Sequence, residues 1–217
     1  MATRLYLVRH GATPLTMEDK FSGAEGVHLS DEGRAQAAQL AERLRHHEIS
    51  AAYCSSLERA VETAEILVRP HSLRPIPVHG LREISHGHWE GLGRQEVEQR
   101  FSEEYSAWEE DPFSFAPEGG ESGISVLSRA LPAIRKIVVE HRDENVLVVS
   151  HKATLRLLIS SLLGFDARGY RDRLDQAPAC LNIVDFSDPV RARLMLFNDI
   201  SHYAAQPARG VRHLSAW

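Results

Sequence analysis

Apolar strand-like runs alternating with amphipathic helical stretches predict an α/β chain, a three-layer α/β/α sandwich on a mostly parallel central sheet. Two observations carry this prediction. Residues 5–8 and 146–149 are short unbroken apolar runs, as expected of strands covered on both faces. Between such runs, apolar residues recur at helical spacing behind capping residues. Composition agrees. Of 217 residues, 43% are hydrophobic and 25% charged, enough for a sizeable core without staples. One domain over residues 1–217 is expected.

The elements follow in order. The first strand, 5–8, breaks abruptly into Arg9-His10-Gly11. Ser30 is a good N-cap, Asp31 and Glu32 suit the positive end of a helix dipole, and Ala37, Leu40, Ala41 and Leu44 repeat at helical spacing. A strand is expected at 51–54. Ser55-Ser56 then reads as a capping step into a helix over 57–68, with Ala60, Ala64 and Leu67 on one face. A proline-rich link leads to a short strand near 76–78. Residues 80–121 are least regular, with a helix-like middle at 95–110, and read as an insertion crossing the top of the sheet. A long helix at 122–140 precedes the clearest buried strand, 145–150. A helix over 151–163 ends at Gly164, and late strands are expected at 181–186 and 194–197 around Asp188-Pro189.

Several function classes drop out. A formal net charge of −5 argues against a general grip on nucleic acid or an anionic membrane, so neither is expected as a partner. The two cysteines, Cys54 and Cys180, lie in apolar runs and predict buried free thiols in a reducing compartment. The first residues lack the regions of a signal peptide, and no apolar run reaches the roughly 18 residues of a membrane span. A cytoplasmic protein is expected. Oligomeric state is not legible, and a homo-oligomer stays open.

Four constellations carry chemistry. Arg9-His10 ends a buried strand, where open α/β sheets place ligands, and Gly11 permits a sharp turn and close approach. Val149-Ser150-His151 repeats that placement at a helix start, which suits phosphate. Arg59 falls one turn into the helix after the second strand and can face the same edge. Glu83 stands apart from other acids among apolar neighbours, a place that suits a proton donor.

These segments also carry a resemblance. Arg9-His10-Gly11 comes first. A Ser-x-Leu-x-Arg-Ala-x-x-Thr-Ala pattern is filled by Ser55, Leu57, Arg59, Ala60, Thr63 and Ala64. Leu81-Arg82-Glu83, Trp89-Glu90-Gly91, Gly120-Glu121-Ser122 and Val149-Ser150-His151 follow in order. Together they resemble the histidine phosphatase superfamily, phosphoglycerate mutase-like branch, over positions 5 to about 160. The pattern is most similar to its metal-independent small-molecule phosphatases. The resemblance implies a phosphoglycerate mutase-like sandwich whose 80–121 insertion covers the active site. It implies His10 as nucleophile and Glu83 as proton donor, with Arg9, Arg59 and His151 around the phosphoryl oxygens. It implies no metal and no cofactor. The implied reaction is hydrolysis of a small phosphorylated metabolite through a phosphohistidine. Phosphoserine phosphatase-like or broad specificity is included. The alternatives are a phosphoglycerate mutase and a non-catalytic phospho-ligand-binding module.

The chain also departs from that pattern. Leu15-Thr16 replaces a common Trp-Asn, so Thr16 substitutes only in part for an Asn contact to phosphate. Ser22-Gly23 replaces Gln-Gly, with Gly23 the expected backbone donor. Lys152 replaces a frequent Gly; one reading adds its positive charge near an anionic substrate, but it is expected to point along its helix into solvent. His86 is a candidate for substrate contact. His86 and His88 alternate, but no third ligand at metal spacing is visible. Trp89 reads as packing. Arg171, Arg173 and Gln176 read as surface or salt-bridge residues, and His202 as a candidate to return toward the pocket.

Overall fold

The computed structural model describes residues 2–17, 20–23 and 26–204. Strand β1 (Thr3–Arg9) is followed by the one-turn α1 (Pro14–Met17), α2 (Asp31–Leu44), β2 (Ala51–Ser55), α3 (Glu58–Val68) and β3 (Ile76–Val78). Helices α4 (Arg94–Arg100), α5 (Ser102–Glu110) and α6 (Gly123–Glu140) come next. The chain continues through β4 (Asn145–Ser150), α7 (Lys152–Leu162), α8 (Tyr170–Arg173), β5 (Leu181–Phe186) and β6 (Ala192–Asp199).

The strands form one six-stranded sheet in the order β3-β2-β4-β1-β5-β6. The first four in that order run parallel, and β5 is antiparallel to both β1 and β6. Side-chain alternation explains why β1 and β4 read as unbroken apolar runs. Leu5 and Leu7 join Val146 and Val148 beneath α6 and α7. Tyr6 and Val8 join Leu147 and Val149 beneath α2 and α3. Helices therefore cover both faces, and each large apolar side chain so buried contributes roughly 1.5–3 kcal/mol. Cys54 and Cys180 are buried free thiols, as expected. No helix among the described residues is long and apolar enough to cross a membrane.

The caps differ in one instructive place. Ser30 caps α2, its hydroxyl accepting from Gly33 N–H at 3.1 Å. The expected cap of α3 is absent. That helix starts at Glu58 without a side-chain cap, and Ser55 Oγ instead accepts from Leu57 N–H at 3.2 Å. The helix-like stretch 95–110 is two helices, because Phe101 leaves helical geometry (φ −133°) and packs on an aromatic cluster. That cluster joins Phe21, Trp89, Val97 and Trp108, so the irregular segment is tied to the loop after α1. Gly91 N–H donates to Phe21 O, and Phe21 N–H to Leu92 O, at 2.8 and 3.0 Å. The last strand is longer than 194–197 suggests, because β5 pairs with it from Ala192 to Asp199.

Parallel packing brings the C-terminal ends of β1, β2 and β4 to one edge. Arg9 pairs with Ser150, and Cys54 with Val149. His10, Ser55 and His151 therefore leave the sheet side by side.

Candidate active site

The edge of the sheet holds His10 by its backbone. His10 N–H donates to Ser150 O, and Ala179 N–H donates to His10 O, both at 3.0 Å. The next residues are fixed from the helices. Gly11 N–H donates to Thr63 Oγ1 at 3.1 Å, and Thr63 Oγ1 donates to Arg59 O at 2.7 Å. Ala12 N–H donates to Gln36 Oε1 at 3.0 Å. The glycine at 11 serves protein packing: a Cβ there would lie 2.4 Å from Gly33 O, and one on Gly33 would lie 2.1 Å from Ala12 O. The close approach expected at Gly11 is thus made by α2.

The His10 ring is buried, and its Nδ1 lies 2.7 Å from Gly11 O. A carbonyl only accepts, so Nδ1 carries the hydrogen and Nε2 keeps its lone pair. Arg59 Nε donates to that Nε2 at 3.3 Å. Burial, then the Arg59 and Arg9 charges, hold the imidazole well below the usual histidine range. It is neutral at pH 7, with its lone pair toward a guanidinium. A neutral imidazole with a free lone pair among fixed cations is equipped to attack an electrophilic, anionic group.

His151 lies beside it, the ring centroids 5.1 Å apart. Its Nε2 is 2.7 Å from Ser55 Oγ, and burial keeps this imidazole neutral as well. Its Nδ1 has no hydrogen-bond partner among the described residues. Arg59 is fully buried, and its Nη2 donates to Gly23 O at 2.6 Å. Gly23 thus holds Arg59 through its carbonyl, in a left-handed turn (φ +36°). Arg9 Nη1 donates to Gln176 O at 2.6 Å.

The carboxyl of Glu83 rests on the first turn of α7. Ile84 N–H, Thr154 N–H and Thr154 Oγ1 donate to Oε1 at 3.0, 3.1 and 3.1 Å, and Ala153 N–H donates to Oε2 at 3.2 Å. The Glu83 charge reaches the Arg9 guanidinium. The loop carrying Glu83 is held by three side chains. Ser150 Oγ donates to Leu81 O (2.8 Å), Thr154 Oγ1 to Arg82 O (2.7 Å), and Arg129 to the carbonyls of Gly80, Arg82 and Glu83. Arg9 and His10, Arg59, Glu83 and His151 thus converge from four segments.

Other expected residues stand differently. Thr16 Oγ1 sits 2.9 Å from Thr13 Oγ1 in a local turn and, among the described residues, forms no hydrogen bond with the two histidines. His86 packs edge-on against Phe21 and Trp108, at 4.8 and 6.2 Å, and burial pushes its imidazole down to about 4. His88 turns away, its Nδ1 donating to Glu118 O at 3.0 Å. Among the described residues, no group of three or more His, Cys, Asp and Glu side chains is placed to hold a metal ion. His202 lies beside Arg43 and Asp199 and, among the described residues, makes no ring contact with His10 or His151.

Arg171 forms a salt bridge, as its reading allows, its Nη2 donating to Glu109 Oε1 at 2.7 Å, but it is buried, with its guanidinium 3.6 Å from the Trp108 ring centre. Two surface readings need correction. Gln176 is buried in an amide network with Asn182, behind Arg9. Lys152 faces Asp175 at 3.7 Å instead of running out along its helix. Sequence reasoning gave Ser55 only a capping role, and Thr63 and Arg129 none. Ser55 and Thr63 stood inside the quoted pattern, which was their signal. Arg129 had none beyond lying eight residues after Glu121.

Comparison with known proteins agrees with this geometry. A family model described as the histidine phosphatase superfamily (branch 1) matches residues 5–200. Phosphoserine phosphatase 1 of Hydrogenobacter thermophilus is 32% identical over 163 residues, 75% of this chain and 77% of that one. Adenosylcobalamin/alpha-ribazole phosphatase of Escherichia coli is 32% identical over 185 residues, 85% and 90% of the two chains. Among solved structures, YhfR of Bacillus stearothermophilus superimposes with a TM-score of 0.87 at 32% identity, covering 93% of this chain and 99% of that one. A mycobacterial glucosyl-3-phosphoglycerate phosphatase gives 0.83 at 28% identity, covering 91% and 99%.

Proposed function

The chain belongs to the histidine phosphatase superfamily, branch 1, and from that premise we infer that it hydrolyses phosphomonoesters of small metabolites through a phosphohistidine on His10. One observation carries the assignment of the nucleophile. His10 is pinned through Nδ1 to Gly11 O, so its Nε2 lone pair is directed toward Arg59, next to the ring of His151.

The reaction runs in two displacements. In the first, His10 Nε2 bonds to phosphorus as the ester P–O bond breaks, and Glu83 gives its proton to the leaving alkoxide. Oε1 of Glu83 is occupied by three donors and Oε2 by one, so Oε2 is the oxygen that carries this proton. Arg9, Arg59 and His151 meet the charge on the phosphoryl oxygens. In the second, Glu83 takes a proton from water, the hydroxide attacks phosphorus, the N–P bond breaks, and neutral His10 returns with inorganic phosphate. The two guanidinium groups supply the positive charge, so this reading needs no divalent cation.

The test is phosphate release from a panel of metabolite phosphates with EDTA present, combined with acid quench and mass spectrometry of the His10 peptide. Free phosphate together with a phosphorylated His10 is the expected result. Strict dependence on added magnesium refutes it. Incubation with 3-phosphoglycerate separates hydrolase from mutase, since isomerisation without phosphate release marks a mutase. Tight phosphate binding with no turnover on any ester marks a non-catalytic module.

A further inference from the structure

A cation short of counter-charge lies beside the phosphoryl site. Lys152 is the first residue of α7, between His151 and Ala153, whose N–H holds Glu83 Oε2. Its side chain is 28% exposed, so the ammonium is neither sealed in the core nor spread into solvent. Asp175 attracts it from 3.7 Å. That carboxylate is already engaged closer by, accepting from Arg156 Nη2 at 3.0 Å and from Gln176 N–H at 2.8 Å. Arg156, Arg9 and Arg94 all act against the Lys152 charge. Burial together with these cations pushes the ammonium down to about 7. A further negative charge close to Lys152 relieves that repulsion.

The position says which part of a substrate would bring that charge. Arg9 and Arg59 flank His10 and face the phosphoryl oxygens. Glu83 marks the leaving oxygen, and Lys152 precedes the residue that anchors Glu83. Asp175, which faces Lys152, is followed by Gln176, whose carbonyl accepts from Arg9 Nη1 at 2.6 Å, so Lys152 borders the Arg9 side of the site. A lone ammonium matches a carboxylate, whereas a second phosphate dianion would exceed it.

We propose that Lys152 forms a subsite for a carboxylate carried by the alcohol portion of the substrate, so that phosphorylated hydroxy acids are the substrate class. The proposal rests on the roles given above to His10 and Glu83. Its test uses a matched pair of esters, 3-phosphoglycerate and glycerol 3-phosphate, which differ in a carboxylate against a hydroxymethyl group. The ratio of kcat/KM for the two is measured in the wild-type enzyme, Lys152→Met and Lys152→Arg. Wild type is expected to favour 3-phosphoglycerate. Lys152→Met is expected to lower that ratio at least tenfold, mainly through KM, and Lys152→Arg to restore part of it. An unchanged ratio in Lys152→Met overturns the subsite, and so does a wild-type enzyme that hydrolyses both esters without preference. In either case phosphate release leaves the hydrolase reading standing. If wild type releases phosphate from neither ester but does so from others of the panel, the subsite falls and the hydrolase reading stands; if no ester of the panel yields phosphate and no phosphorylated His10 is trapped, both fall.

Discussion

Replacing Arg129 by methionine isolates the support of Glu83. Arg129 projects from α6 and uses every nitrogen of its guanidinium. Nη1 donates to Gly80 O and Arg82 O at 3.0 and 2.8 Å, and Nη2 to Glu83 O at 3.0 Å. Nε and Nη2 grip the two oxygens of Glu121 at 2.8 and 2.7 Å. Burial pushes the Glu121 carboxyl up, but the Arg129 hydrogen bonds and the Ser85 N–H outweigh it and hold it low. Methionine keeps the apolar stem and removes every donor. Breaking a buried charge pair from one side costs about 3–5 kcal/mol. These side chains are 17% and 22% exposed, so about 2–4 kcal/mol is the better figure. At 2–4 °C per kcal/mol for a chain of this size, Tm should fall by roughly 5–15 °C. Activity should fall selectively. A positioned acid contributes about 10²- to 10⁴-fold, and loosening its backbone should forfeit at least about tenfold of that. Under the proposed mechanism an alkoxide leaving group takes the Glu83 proton, whereas nitrophenolate, the anion of a much stronger acid, departs without it. The assay is kcat/KM on glycerol 3-phosphate and on p-nitrophenyl phosphate, well below the variant's Tm. The alkyl ester should lose at least tenfold more than the aryl ester. Equal losses on both, or none on either despite a lowered Tm, refute the idea that Arg129 acts through Glu83.

Other expectations can be checked directly. His10→Ala should abolish the phosphoenzyme trapped by acid quench, and persistence of label elsewhere would remove His10 from its role. Glu83→Gln should keep the fold by circular dichroism but slow alkyl-ester turnover by about 10²-fold or more, and unchanged turnover excludes it. Thr63→Val strips the bond to Gly11 N–H and should cost about 1–3 kcal/mol in denaturant titration. Acid should destabilise the unliganded protein. His10, His151 and His86 are all held below the ordinary histidine value of 6.5, His86 at about 4. The unfolded chain therefore binds more protons below pH 6.5, so their stabilisation is present above that value and lost as pH falls through the folded values. At pH 5, His86 alone accounts for roughly 1–2 kcal/mol. A Tm that stays flat between pH 7 and 5 contradicts this.

How legible a residue was depended on where its partners lie. The runs 5–8 and 146–149 announced central strands because burial on both faces leaves no polar alternation. Arg9, His10 and His151 were legible because strand ends in a parallel sheet share an edge. Gln176 was not, since its polarity is satisfied by Asn182 and a sulfur contact from Cys180, and nothing local reports that enclosure. Arg171 hides its charge over the Trp108 ring and against Glu109, partners more than 60 positions away. Lys152 looked like a helix-surface residue because helical spacing does not reveal Asp175, which arrives from beyond α8. The break at Phe101 was missed for a similar reason. Its aromatic ring prefers the cluster around Trp89 to another helical turn.

The backbone contact between Gly11 and Gly33 reverses an ordinary engineering rule. Exchanging glycine for alanine inside a helix usually gains about 0.5–1 kcal/mol. In α2 the added methyl would strike Ala12 O at 2.1 Å, wedging the helix away from the segment that aims the imidazole of residue 10. A thermostabilising programme guided by helix propensity alone would select that exchange and disturb the setting of His10 from a position 23 residues along the chain.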